Sequence, residues 1–281
     1  MLEERNLKYV KVSRNLAFKC DGSAARSLPE SGSIPAERKA ERKNIKQPKG
    51  YSKTEGVLSA GIICVISGGT TRERVFLNEL ERKHSFRSLE VVFVSSKKEE
   101  GGLTPRMMME KYTSICQDGI LTAGGRKIKL EAIDSVYMFT DVDHYEIELK
   151  GIIGSAQQIG PRWIISNPDF EIWIYYCFRK NPQEDLSDIF QVSPSARSSL
   201  LKTINGRFNN GGGLDPRKAF EHLEDGIQNA RQNYSERDGF PCLLSTQMYV
   251  FAEDVLQLLG EEYRVFVEKI RIFRDSLRQT I

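Results

Sequence analysis

Residues 57–84 read VLSAGIICVISGGTTRERVFLNELERKH, and the hydrophobic period changes in the middle of the stretch. VLSAGIICVISGG (57–69) is an apolar, β-branched run closed by two glycines, which suits a strand buried on both faces and entering a tight turn. TTRERVFLNELERKH (70–84) spaces Val75, Leu77 and Leu80 helically among charges, with Thr70 or Thr71 as the cap and Glu73 in the first turn. Strand, small-residue turn and helix make a βα unit.

The unit repeats downstream. LEVVFVSS (89–96) predicts a strand, and TPRMMMEKYTSICQDG (104–119) a helix with Thr104 at the cap and Pro105 at its first position. SVYMFTD (135–141) predicts a strand, HYEIELKGIIGSAQQIG (144–160) a helix or broken helix, RWIIS (162–166) a short strand, and PDFEIWIYYCFRKN (168–181) a helix capped by Asn167. Alternation of this kind implies an α/β fold with right-handed crossovers and a mainly parallel, doubly wound sheet. After residue 182 the spacing is helical throughout, with NNGGG (209–213) as a joint. The expected organisation is a basic, flexible arm at 1–56, a catalytic or binding domain at 57–181, and a C-terminal helical region at 182–281 packed on it.

Bulk properties narrow the classes. With 281 residues, 40% hydrophobic and 28% charged, the chain has ample material for a core. It carries no apolar run near the ~18 residues of a membrane span, and an N-terminus charged from the third residue, with no long apolar h-region, argues against a secretory signal. Its five cysteines are dispersed with no CxxC pair, which fits reduced thiols and a cytoplasmic location. The net charge of +3 hides an asymmetry, because residues 1–56 hold 13 Lys/Arg against 7 Asp/Glu and the remainder holds 28 against 31. The basic arm is either a solvated leader or a segment that lies along a phosphate backbone.

Three strand ends carry candidate chemistry, as the carboxyl ends of a doubly wound sheet should. In FTDVDHY (139–145), Asp141 and Asp143 lie two apart on an extended segment and can face one space. Two close carboxylates repel unless a cation neutralises them, and Mg²⁺ favours such oxygens; an acidic capping turn is the plainer alternative. SGGTTRE (67–73) offers the backbone of Gly68 and Gly69 and the hydroxyl of Thr71 to a phosphate, although it has neither a P-loop lysine nor dinucleotide glycine spacing. Arg72 and Arg74 can neutralise flanking phosphates. In SNPDFEIWIYYCF (166–178), Glu171 either compensates the helix dipole or joins the aspartates at a metal. His144 abuts the aspartate pair as a proton donor, a substrate contact or a helix-start residue. Ser/His/Asp hydrolysis lacks a nucleophile elbow, and Cys177 sits in an apolar helix.

Together SGGTTRERVF (67–76), FTDVDHY (139–145) and SNPDFEIWIYYCF (166–178) resemble the RloB-like family, a branch of the Toprim-type nucleases found in bacterial defence islands. The family pattern runs EGxxTEpxYF, D-x-D and SNPxFExWxxxHF, and the third motif matches at Ser166, Asn167, Pro168, Phe170, Glu171, Trp173 and Phe178. The resemblance covers about residues 57–180 and implies a Toprim-like sheet, with Mg²⁺- or Mn²⁺-dependent phosphodiester cleavage at Asp141, Asp143 and Glu171. It implies a nucleic-acid substrate, RNA favoured and tRNA in some relatives, in anti-phage immunity. Some relatives work with an ATPase partner or with CRISPR nucleotide signalling, and self-association is open.

The chain departs from that pattern at three positions. Ser67 replaces the first glutamate, which the resemblance makes the general acid/base, Arg72 replaces the second, and Cys177 replaces a histidine. Glu73 can substitute only if a one-residue step, about 100° around a helix, turns it toward the site. The alternatives are that Ser67 serves as a nucleophile or a phosphate contact in a rearranged site, or that the chain has lost cleavage and kept binding. The functions left open are a metal-dependent ribonuclease, a catalytically impaired sensor or binding module and, more remotely, an unrelated α/β enzyme acting on a small phosphorylated substrate.

Overall fold

Every residue of Gly61–Ser67 is buried, and this strand, β1, is the axis of the fold. The computed structural model describes residues 2–3, 60–82, 86–96, 102–123, 125–142, 145–155 and 161–279. The arm expected at 1–56 lies outside the described residues, apart from Leu2–Glu3, which pairs in parallel with Lys127 and Ile128. Side chains of β1 alternate between two cores, as a strand period of two requires. Ile62, Cys64 and Ile66 join Leu103, Met108, Leu121 and Met138 on one face. Ile63 and Val65 join Phe76, Leu77, Tyr137 and Trp173 on the other. Both faces are covered, so the run of β-branched residues is explained.

Helix α1 (Arg72–Arg82), strand β2 (Leu89–Val94) and helix α2 (Pro105–Ile115) follow as expected, and the Thr104 hydroxyl accepts from the Met107 N–H. An element that the helical reading of 104–119 did not anticipate comes next. The chain leaves α2 at Cys116–Gln117 and forms an antiparallel hairpin of β3 (Ile120–Ala123) and β4 (Arg126–Lys129). Asp118 and Gly119 turn the chain with φ of 50° and 73°, a left-handed pair suited to Asp-Gly. Leu121 and Ile128 anchor this hairpin in the same core as Ile62.

β5 (Ser135–Asp141), α3 (Glu146–Ser155), β6 (Arg162–Ser166) and α4 (Glu171–Phe178) complete the α/β part. The main sheet has the order β2–β1–β5–β6 with all neighbours parallel, the architecture of a Toprim-like α/β fold. From β1 the chain crosses to β2 on one side and later returns to β5 on the other. The order therefore reverses between β1 and β5, where Ser67 pairs with Phe139, and crevices open at such switch points.

Helix α4 is buried on all sides from Glu171 to Cys177. Against it pack α5 (Pro194–Arg207) and α6 (Leu223–Gln232), α7 (Met248–Leu259) packs on α6 and on β6, and α8 (Glu261–Gln279) closes the chain. Phe251 of α7 stands edge-on to Tyr137 and Phe139, with ring centroids 5.1 and 4.8 Å apart, so the C-terminal helices share the core of the sheet. No helix among the described residues is long and apolar enough to cross a membrane.

Gly226 sets the approach of α6 to α4, because a Cβ there would lie 2.8 Å from the Trp173 ring and 2.9 Å from Cys177 Sγ. Helix propensity alone would reward Gly226→Ala by up to about 1 kcal/mol, and the overpacking costs ~1–3 kcal/mol. Overpacking should win, lowering the urea midpoint of Gly226→Ala relative to the parent chain.

Candidate functional site

Three segments reach the same edge of the sheet: the β1–α1 turn, the end of β5 and the β6–α4 corner. The corner is the most firmly built. Asn167–Pro168 is a cis peptide, and the loop 241–247 clasps the residues around it. The Asn167 N–H donates to Ser245 O (2.9 Å), Asn167 O accepts from Leu244 N–H (2.9 Å), and Ser166 Oγ lies 2.8 Å from Thr246 Oγ1. Asn167 was expected to cap the helix, but its side-chain amide donates instead to Pro241 O at 2.9 Å. Capping passes to Asp169, whose Oδ1 accepts the Glu171 N–H at 3.1 Å.

This geometry buries two carboxylates. Asp169 is 3% exposed and Glu171 1%. Asp169 Oδ2 lies 3.0 Å from Lys202 Nζ, and Glu171 Oε1 lies 2.9 Å from Arg72 Nε. Neither oxygen has a well-directed hydrogen bond despite its cation. Asn205, one turn beyond Lys202 on α5, donates its Nδ2 to Glu171 O at 2.9 Å and Glu171 Oε2 at 3.4 Å. Burial pushes the Asp169 carboxyl up to about 6, with Lys202 opposing the rise and Glu171 adding to it.

Glu73 makes a third buried acid, at 7% exposure. It lies in the first turn of α1, three, four and seven residues before the buried Phe76, Leu77 and Leu80, so the inward stripe carries it under the turn. Arg72 and Arg74 on either side are exposed. Gly69 leaves room for the carboxylate, since a Cβ at Gly69 would come within 2.1 Å of Glu73 Oε1. Burial first, then the charges of Asp169 and Glu171, push the Glu73 carboxyl up to about 7, against its backbone hydrogen bond and Lys202.

Asp141 ends β5 half-buried, paired in register with Ser166, and its charge reaches Lys202. Asp143 and His144 lie outside the described residues. Ser67 is fully buried at the end of β1, and its Oγ has no hydrogen-bond partner among the described residues. Two expectations require correction. The Gly68 N–H is spent on Phe139 O (2.9 Å), and its carbonyl accepts from Leu103 N–H (3.1 Å), so Gly68 braces the turn and has no free amide for a phosphate. Arg72 faces Glu171, which places its guanidinium on an acid of the cluster. Thr71 and Arg74 are exposed at the rim.

The structure therefore gathers Ser67, Glu73, Asp141 and Glu171 from the sequence-based set and adds Asp169, Lys202 and Asn205. Asp169 had a signal in the D-x-E spacing of SNPDFE; Lys202 and Asn205, three apart on a helix, had none beyond their spacing. As donors, Asp141, Asp169, Glu171 and Glu73 offer hard oxygens suited to Mg²⁺ or Mn²⁺. Burial is the main reason that the Glu73 and Asp169 carboxyls are raised, and Asp169 Oδ2 and Glu171 Oε1 are buried without a directed hydrogen bond. Among the described residues, no three His, Cys, Asp or Glu side chains are grouped to share one ion in this arrangement.

The raised carboxyls fix a sign. The folded state holds protons that the unfolded chain has released above the ordinary values of 4.5 for Glu73 and 3.8 for Asp169. Their contribution is therefore most favourable below those values, and stability falls as pH rises toward about 6 to 7. For Glu73 alone the loss is on the order of 3 kcal/mol. Urea unfolding in EDTA should show Glu73→Gln gaining stability on the parent chain between pH 5 and pH 7.5; parallel pH profiles would contradict this.

A scan of protein families matches residues 63–254 to the family described as RloB-like protein. Neither the curated proteins nor the solved structures give a match. The matched span runs from β1 into α7 and contains every residue of the cluster, Lys202 and Asn205 included. The chain belongs to the RloB-like protein family.

Proposed function

We propose that this protein is a Mg²⁺- or Mn²⁺-dependent phosphodiesterase that cuts RNA, tRNA among the candidates, in bacterial anti-phage defence. The observation that carries the reading is the burial of Glu73, Asp169 and Glu171 beside Asp141 at the switch point of a parallel sheet. Such burial costs several kcal/mol per uncompensated charge, which Lys202 and Arg72 offset at Asp169 and Glu171. Asp141, with Asp143, would hold the ion, and Asp169 and Glu171 would join only once Lys202 and Arg72 leave them; the ion would supply charge stabilisation on the phosphoryl oxygens and activation of water or a ribose 2′-OH. Glu73, with its carboxyl raised to about 7, is matched to moving a proton near neutral pH. Ser67 Oγ is fully buried, so it would donate to a phosphate oxygen only if the β1–α1 turn opens. Thr71 and Arg74 line the rim where flanking phosphates would pass. The dispersed cysteines favour a cytoplasmic setting, and the resemblance implies an ATPase or a nucleotide signal as activator.

A second reading, a sensor or binding module, is favoured by Arg72 on Glu171 and by Ser67 at the position of the family glutamate. It predicts equal ligand binding in EDTA and uncut RNA.

Labelled RNA pools incubated with the full chain and Mg²⁺ should yield products that disappear with EDTA and with Asp141→Ala. Glu73→Gln should lower cleavage about 100-fold while leaving RNA binding intact. RNA that stays whole across pools and candidate activators, with binding unaffected by EDTA, would transfer the case to the sensor reading.

A further inference from the structure

The charges of the acidic cluster converge on one residue that the reaction scheme above does not use. Lys202 projects from α5 with its side chain 53% exposed, and its Nζ lies 3.0 Å from the buried Asp169 Oδ2. The same ammonium is held by the charges of Asp141 and Glu171 and opposes the rise of Glu73. One lysine thus answers acids from α1, from the end of β5 and from the β6–α4 corner. A lysine is suited to a replaceable role, being a compact charge on a flexible stem, in contrast to the planar fork of Arg72.

A divalent ion on these carboxylates could not coexist with the ammonium in its present place, because like charges a few ångströms apart repel strongly in a partly buried site. The exposed stem gives Lys202 a way out toward solvent. Departure need not disturb the helix, since Asn205 ties α5 to the Glu171 carbonyl at 2.9 Å, and Leu201 and Ile204 are buried on either side of it.

We propose that Lys202 is the resident counter-ion of the acidic cluster, and that a divalent cation binds by displacing its ammonium from Asp169. The displaced ammonium remains at the rim, where it can meet the phosphate of an incoming polynucleotide. The proposal rests on the metal-dependent reading of the site. It makes metal affinity a property of residue 202, which lies outside the sequence motifs that carry the acids.

The probe is Mn²⁺ alone, titrated calorimetrically into the full chain without RNA. Lys202→Met keeps the length of the stem and removes the competing charge, so it should bind Mn²⁺ about tenfold more tightly, the worth of one charge-assisted contact. Asp141→Ala should lose that binding. In the unaltered protein, acylation of the Lys202 amine, read by mass spectrometry, should increase when Mn²⁺ is added; this second measurement decides the matter if Lys202→Met fails to fold. Equal or weaker Mn²⁺ binding by Lys202→Met, or Lys202 labelling indifferent to Mn²⁺, overturns the Lys202 proposal and leaves the metal reading standing. Mn²⁺ binding by neither chain overturns both.

Discussion

Glu73, Asp169 and Glu171 are each less than a tenth exposed, and the cost of burying these carboxyls together is the constraint around which the site is arranged. Carboxylates so placed must be paired, hydrogen-bonded or protonated. This chain uses all three remedies. Arg72 pairs with Glu171, Lys202 pairs with Asp169, Asn205 donates to Glu171, and the carboxyls of Glu73 and Asp169 keep their protons to higher pH than usual. None of these partners comes from the sheet. Strands bring the acids to one edge, but α1 and α5 make their burial tolerable, so the C-terminal region is part of the site.

The same dependence shapes the β6–α4 corner. Ser166 and Asn167 make bonds to the loop 241–247, and Tyr176 reaches back from α4 to donate to Leu244 O at 2.7 Å. With the chain held on both sides, Asp169 has little freedom, and its position at the start of α4 puts it where helix N–H groups favour negative charge. A motif whose residues first read as helix signals turns out to be an anchoring device. Its serine and asparagine are turned toward the loop, while Asp169 and Glu171 are turned toward the other acids.

Much of the architecture was legible because it depends on local period. The continuous apolar run of Gly61–Ser67, the cap at Thr104 and the strands at Ser135–Asp141 and Arg162–Ser166 follow from patterns that any single stretch displays. The hairpin after α2 was missed although Asp118-Gly119 is a strong turn signal, because Tyr112 and Ile115 extended the helical pattern into it. Lys202 and Asn205 were illegible for a different reason. Their role is set by a contact between α5 and a corner more than 30 residues earlier, and no local pattern encodes which face of a helix meets an acid.

Glu73 is the instructive intermediate case. The family pattern places glutamates at the positions of Ser67 and Arg72, and counting from those positions makes residue 73 look misdirected by a helical step. Counting from the core gives the opposite answer. Phe76, Leu77 and Leu80 define the buried stripe of α1, and position 73 belongs to that stripe whereas 72 and 74 flank it. The helix therefore had a place for an inward acid at 73, provided that the turn below it had no side chain, and Gly69 meets that condition. An arginine at 72 is then consistent with the acid at 73, because it reaches over the rim to Glu171 and relieves the charge that Glu73 adds. Ser67 fits the same scheme: a carboxylate at the fully buried end of β1 would have joined three others with no further cation to meet it among the contacts described, whereas a hydroxyl adds no charge. The departures from the family pattern read as one electrostatic rearrangement, in which an inward acid is carried by the first turn of α1 and the strand end is left neutral.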